Sequence, residues 1–319
     1  LDDMQIRKLV KSGFASLVMA VPSGWIRKNK LKAGDLLYVH EDSDCLIVKK
    51  EPKKEHKKEE VKVISIEDKD PRQVNFEIAS AYMNNYKHII IKGKELYKIR
   101  KSVKKRITDL IALELVDESS EKIIAKDFLN LYDTDPRVVL RRMDNIIRSM
   151  FKDTKDIIEK KENADYVVER DDEVNRLNFL LLKLLKTSYL DKEVCNAVQM
   201  QDLDILRYWE INIYMEKIAD RIKYIAQLMP EQAAKQCKST SELLTKLEKI
   251  YEDAMKAVYT LSLPKSDQIG LQRPEMIKEI QKFMKKNKCQ LCSQVAMNAF
   301  NLVANVSNIS KAVRLLDND

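Results

Sequence analysis

Residues Arg207 to Met229 read RYWEINIYMEKIADRIKYIAQLM, and this stretch decides the fold. It holds no Gly or Pro before Pro230, so it predicts one helix that Pro230 ends. At about 100° per residue, Ile211, Met215, Ile218, Ile222 and Ile225 share one face. Leu206, Trp209 and Ile213 share the opposite face. A helix apolar on both sides is expected between other helices inside a bundle. Glu216 and Asp220, at i and i+4, fall on the second face beside Trp209 and Ile213. Two carboxylates at that spacing repel unless a cation sits between them. Two readings stand. One is a partly solvated acidic pair near Lys217, Arg221 and Lys223; the other is a divalent-metal site of hard oxygen ligands.

The rest of the chain agrees with a largely helical protein. Five glycines in 319 residues is few, and three of them (Gly13, Gly24, Gly34) lie at the very start. The beginning is therefore built differently from the remainder. A net charge of +8 with 34% charged residues suits a soluble protein with an acidic partner. No run of about 18 apolar residues exists; the best, Leu177 to Leu185, is cut by Lys183. With no signal-peptide pattern either, a cytoplasmic protein without membrane insertion is expected. Cys45, Cys195, Cys237, Cys289 and Cys292 are odd in number and scattered, which fits a reducing compartment. Cys289-x-x-Cys292 stands alone with no second pair, short of the about four ligands of a zinc site. No G-x-S-x-G, P-loop or G-x-G-x-x-G occurs, and an enzyme is not expected.

Residues 4–50 predict a β-β-α-β-β order. Ile6 to Val10 and Phe14 to Val21 are extended runs broken at Ser12-Gly13. Ser23 opens a single helical turn from Trp25 to Asn29. Leu36 to His40 and Cys45 to Lys49 form a hairpin around residues 41–44. Such short strands bury too little to stand alone, so dimerisation is expected. Between Met4 and Gly34 the basic residues are Arg7, Lys8, Lys11, Arg27, Lys28, Lys30 and Lys32, without one acid. That patch suits either double-stranded DNA phosphates or a plain solubilising surface. The run from Val21 to Leu37, VPSGWIRKNKLKAGDLL, resembles the AbrB/SpoVT/MazE family. The resemblance implies a swapped-hairpin barrel and a homodimer that binds DNA or acts as an antitoxin. It also places the DNA-facing surface at Arg7, Lys8, Lys11, Arg27, Lys28 and Lys30.

Residues 51–62 read as a charged linker, KKEPKKEHKKEEVK being its wider context. Residues 63–133 predict a small α/β unit. Its expected strands are Val61 to Ile66, His88 to Ile91, Ala112 to Val116 and Lys122 to Lys126, with helices from Pro71 and from Glu95. In the second helix Lys94, Lys98, Lys101 and Lys105 share a face, which suits a second phosphate contact or an acidic-partner surface, and a merely solvated helix equally. Residues 135–319 predict helices from Pro136, from Tyr166 to Ser188, the opening stretch, Leu243 to Tyr259, Pro274 to Asn287, and Cys289 to Leu316.

The segment Tyr214-Met-Glu-Lys-Ile-Ala-Asp-Arg221 resembles the L-E-R-I-[GA]-D-H helix of PhoU proteins, the phosphate-uptake regulators. Asp171-Asp172-Glu173-Val174-Asn175 resembles the D-x-x-[IV]-D segment of the same family, with Asn175 where an Asp is expected. The two resemblances together imply an archaeal PhoU-like regulator with an N-terminal SpoVT/AbrB-type domain. The expected fold is multi-domain and mainly α: a swapped-hairpin β-barrel, a small α/β unit and a bundle of two three-helix repeats. At most one metal locus, divalent or iron-type, is expected on Glu216, Asp220, Asp171 and Asn175. Around Asn305, Ser307 and Asn308 no carboxylate exists, and Glu275 and Glu279 are expected to pair with Lys278 and Lys282. The function implied is phosphate-responsive transcription regulation. The rivals are an adaptor acting on a phosphate-transporter ATPase or sensor protein, and an architectural DNA-binding protein.

Overall fold

The computed structural model describes residues 6–13, 16–42, 45–50, 61–160, 163–229 and 239–315. The expected linker lies outside these residues except for its last two, as do Pro230 and Cys237. The chain divides into two compact units, Leu1–Lys58 and Glu59–Asp319.

The first unit carries β1 (Leu9–Ser12), β2 (Ser16–Met19), α1 (Ser23–Lys28), β3 (Tyr38–Asp42) and β4 (Cys45–Lys49). Gly13, at φ +74°, supplies the left-handed residue after β1. β1 pairs antiparallel with β2 and β3 with β4, as two separate two-stranded sheets. Pro22 rather than Ser23 stands at the N-cap of α1, and no side chain caps it. None of the residues whose exposure is described between 6 and 50 is buried. Leu9, Leu17, Val39 and Leu46 are each more than 60% exposed. Isolated hairpins are marginal in water, so these apolar strands make a surface that wants covering.

The second unit begins with β5 (Val61–Ser65), α2 (Pro71–Met83), β6 (His88–Lys92), α3 (Leu96–Thr108), β7 (Leu113–Glu118) and β8 (Lys122–Asp127). The sheet order is β5-β6-β8-β7, with β5 and β6 parallel and the other pairs antiparallel. The parallel pair needs the α2 crossover. Asp70 and Gln73 close a capping box at the start of α2, with Pro71 in its first turn. Strand residues alternate: Ile64, Ile89, Ile91, Ile123 and Ala125 are buried in one core with Val74, Ile78, Val103 and Ile107 of the helices.

Six long helices follow: α4 (Pro136–Lys160), α5 (Asp165–Leu190), α7 (Asp202–Gln227), α8 (Ser239–Thr260), α9 (Leu263–Lys286) and α10 (Gln290–Ala312), with a short α6 (Lys192–Ala197) between α5 and α7. α4, α5 and α7 pack together, α8, α9 and α10 likewise, and α7 packs on α10. The expected stripe on α7 is the core: Ile211, Met215, Ile218, Ile222 and Ile225 are fully buried. Its second face differs from expectation. Leu206 and Trp209 remain 53% and 37% exposed, because α4, α5 and α10 take up only part of the α7 surface. α9 also differs: it runs unbroken through Pro274. Proline already has a helical φ, and the cost is one bond to the Gly270 carbonyl. The buried stripe Ser266, Ile269, Ile280 and Phe283 spans the proline and holds both halves in one helix. Cys289 caps α10, its sulfur accepting the Cys292 amide at 3.2 Å, so the C-x-x-C serves a helix start.

The α/β segment and the helices belong to one unit, and buried charge helps join them. Lys183 of α5 and Asp127 of β8 form an ion pair with both side chains fully buried. The Lys183 ammonium also lies 4.1 Å from the centroid of the Tyr82 ring on α2. Asp127 further accepts the Leu129 amide at 3.0 Å and lies 3.5 Å from Lys87. Burial lowers the Lys183 pKa, and the attraction of Asp127 only partly offsets it. Replacing Asp127 with Ala strands this ammonium and is expected to cost about 3–5 kcal/mol in urea unfolding. Lys183→Met leaves Asp127 its other partners, so it is expected to cost clearly less. Equal losses would show that the pair contributes no more than packing.

Candidate functional site

α5 and α7 run side by side, and polar residues face each other along the seam. Asn212 is fully buried and donates to the Asn178 side-chain oxygen at 2.7 Å. Further along, the four residues expected to hold a metal gather: Asp171 and Asn175 from α5, Glu216 and Asp220 from α7. Between the helices lies the ammonium of Lys223, 2.6 Å from Asp171 and 2.7 Å from Asp220. Asn175 turns its amide nitrogen to Asp171 at 3.0 Å and so donates rather than accepts. Glu216 forms no ion pair among the described residues.

The electrostatics follow from one ammonium shared by Asp171 and Asp220, with Glu216 near but unbonded to it and Lys217 the larger positive influence on that acid. Asp171 is 3% exposed. Burial raises its pKa and outweighs the Lys223 hydrogen bond. Burial also raises Glu216, helped by the negative charges of Asp220 and Asp171. For Lys223, burial acts downward, but the hydrogen bonds to Asp171 and Asp220 prevail and hold it well above its ordinary value. The lysine is thus firmly charged while two of the acids are under-compensated.

This donor set does not fit a divalent ion. A hard cation needs oxygen lone pairs converging on one point. Here Asp171 receives N–H donors from both Lys223 and Asn175, and an ammonium already stands between the two aspartates. Among the described residues no group of three or more His, Cys, Asp or Glu side chains is arranged to hold a metal.

The basic candidates lie in the first unit. Arg7, Lys8, Lys11, Arg27, Lys28 and Lys30 are all exposed. Arg27 and Lys28 sit in the last turn of α1, and Lys30 follows at φ +54°. In the second unit, the α3 face is partly spent: Lys98 pairs with Glu95, Arg100 and Lys104 both pair with Glu118, and Arg106 stacks 4.6 Å over Phe179. Lys94, Lys101 and Lys105 remain exposed. Glu279 pairs across helices with Lys246 rather than along its own helix, beside a shallow cavity of about 170 Å³ between α8 and α9.

Sequence reasoning missed two polar clusters. One is Lys183–Asp127, where Lys183 reads only as an interruption of an apolar run. The other is buried Asp144 of α4, which accepts from Tyr259 at 2.8 Å and from Arg148 at 2.9 Å. A lysine in the middle of an apolar stripe was the available signal for the first; nothing local announced the second.

A helical bundle with a polar seam between two long antiparallel helices is therefore the class of protein that the fold defines. Within it, residues 140–229, from α4 through α7, match the PhoU domain. That segment contains all four of the acidic-seam residues and Lys223. Comparison with curated proteins and with solved structures returns no match. No helix of the described residues is long and apolar enough to cross a membrane.

The seam has a pH signature. Asp171 and Glu216 keep protons in the folded protein where the unfolded chain has released them. Their contribution to stability is therefore full below the ordinary carboxylate range and is lost as pH rises through the raised values. Glu216→Gln is expected to flatten that fall and to raise stability at neutral pH by about 0.2–0.5 kcal/mol, the size of a like-charge i,i+4 repulsion. Urea titrations of both proteins from about pH 3, below the ordinary carboxylate values, up to about pH 8 check it. An unchanged slope would mean that Glu216 is solvated.

Proposed function

We propose that this protein is a phosphate-responsive, DNA-binding transcription regulator that acts as a homodimer. The PhoU domain supports a role in regulating phosphate homeostasis. The observation that carries the DNA-binding part is the first unit: six exposed basic side chains on a segment none of whose described residues is fully buried. Apolar strands such as Leu17 and Val39 ask for a cover, and a second copy of the same hairpins is self-complementary in strand edge and in apolarity. Pairing two copies doubles the basic set on one assembly. Phosphate neutralisation by such a set gives affinity that falls with salt. The PhoU-like bundle then receives the phosphate-linked signal, through a ligand or a protein partner that binds two states of the dimer unequally. The work of this protein is binding rather than catalysis, in the cytoplasm.

Two measurements test this. The full chain is expected to be a dimer by light scattering, and the pair Leu17→Asp and Val39→Asp is expected to make it monomeric. Duplex DNA affinity should fall with log[salt] at about −0.9 per phosphate contacted, and Arg7→Ala with Arg27→Ala should flatten the slope by about 3 to 4 in the dimer. A chain lacking residues 1–60 that binds duplex DNA as tightly as the whole protein removes the proposal. An adaptor that touches a transporter ATPase then becomes the better reading.

A further inference from the structure

We infer that Lys223 is the resident cation of the α5–α7 seam. Its ammonium takes the place of a divalent ion among Asp171, Glu216 and Asp220, and removing it opens that place to one. The inference is independent of whether the first unit binds DNA.

Three carboxyl groups converge on one short length of two packed helices, and one of them, Asp171, is almost wholly buried. Like charges at this density repel, and the repulsion is relieved either by a cation or by protonation. The cation is present in the chain itself. Lys223 reaches Asp171 across the helix pair and Asp220 one turn back on its own helix. Its nitrogen lies 2.6 and 2.7 Å from their oxygens, charge-assisted hydrogen-bond lengths. Being tethered, it needs no loading from solution and cannot be removed by a chelator.

The compensation is incomplete. Lys223 bonds two of the three acids, and both Asp171 and Glu216 are pushed toward protonation, first by burial and then by the negative charge of Asp220 beside each of them. Without the ammonium, the oxygens of Asp171 and Asp220 that it bonds would be left as hard donors facing the space it held, with Glu216 close enough to feel their charge. The Asn175 amide, now a donor to Asp171, can turn over and offer its oxygen. That is the chemistry of a Mn²⁺ or Mg²⁺ site. The same lysine that keeps the seam charged therefore also excludes divalent ions from it.

The test is a Mn²⁺ titration of the full chain, followed by electron paramagnetic resonance and thermal unfolding after chelator treatment. Wild type is expected to show no saturable uptake below about 1 mM, the weak end for oxygen-ligand sites. Lys223→Gln is expected to bind one Mn²⁺ per chain at least about tenfold more tightly, and to unfold at a higher temperature with Mn²⁺ than without. Adding Asp171→Asn to that variant should abolish the uptake. If Lys223→Gln folds only when Mn²⁺ is supplied, the inference is likewise supported. It is overturned if wild type takes up Mn²⁺ at a locus that Asp171→Asn with Asp220→Asn removes. It is also overturned if folded Lys223→Gln takes up no more than wild type, or if that variant stays unfolded with Mn²⁺ while Lys223→Gln with Asp171→Asn folds.

Discussion

The burial of α7 is the constraint on which the second unit depends. Its apolar stripe from Ile211 to Ile225 is closed off by α4, α5 and α10, and so belongs to both halves of the bundle at once. Burying a Leu- or Ile-sized side chain contributes on the order of 1.5–3 kcal/mol, and five in a row commit the helix to one rotation about its axis. That rotation in turn fixes where its polar residues go. Asn212, Glu216, Asp220 and Lys223 are carried to the border with α5, where Asn178, Asn175 and Asp171 come to meet them. The seam is a consequence of hydrophobic packing, and its charges must then be satisfied within it.

Two lysines compensate buried acids along α5, one inside the seam and one on its side toward the sheet. Lys223 neutralises the acidic end of the seam, where solvent still reaches part of the cluster. Lys183, on the same helix as Asp171, is completely enclosed and paired with Asp127 of the sheet. The two environments shift lysine in opposite directions. Hydrogen bonds to two aspartates hold Lys223 above its ordinary value, whereas burial pulls Lys183 below it. Buried pairs of this kind add little net stability compared with apolar packing, but losing one partner is expensive, which makes them specific about geometry. The Lys183 pair ties α5 to β8 and, through Tyr82, to α2, so the α/β segment has a defined seat on the bundle.

The first unit follows a different logic. Its strands have the sequence pattern of a β protein, yet within one chain they pair only as two hairpins and bury no described residue. Nothing in a segment this small can provide a core by itself. Its apolar strands and its acid-free basic run are both left exposed in the single chain.

Much of this was written in the sequence because it is set by short-range rules. The 3.6-residue period located the Ile211 stripe, alternation and turn residues located the strands of both units, and the Glu216–Asp220 spacing left two readings, a partly solvated acidic pair beside Lys217, Arg221 and Lys223 or a divalent-metal site. Which cation meets the acids was open: Lys223 is only one of three nearby basic residues in sequence, and only the rotation of α7 against α5 brings its ammonium to Asp171, 52 residues away. The same limit explains the remaining differences. Whether Leu206 and Trp209 are covered depends on how many helices surround α7, which no helical wheel contains. Pro274 reads as a helix start, yet the buried stripe on either side of it keeps α9 continuous. Lys183 reads as a break in an apolar run because its partner, Asp127, lies 56 residues away and is brought there only when the sheet packs on α5. Periodicity fixes which side of an element is apolar; which charges meet is decided by packing, because their energy depends on distance and on exclusion of water, and tertiary structure creates both.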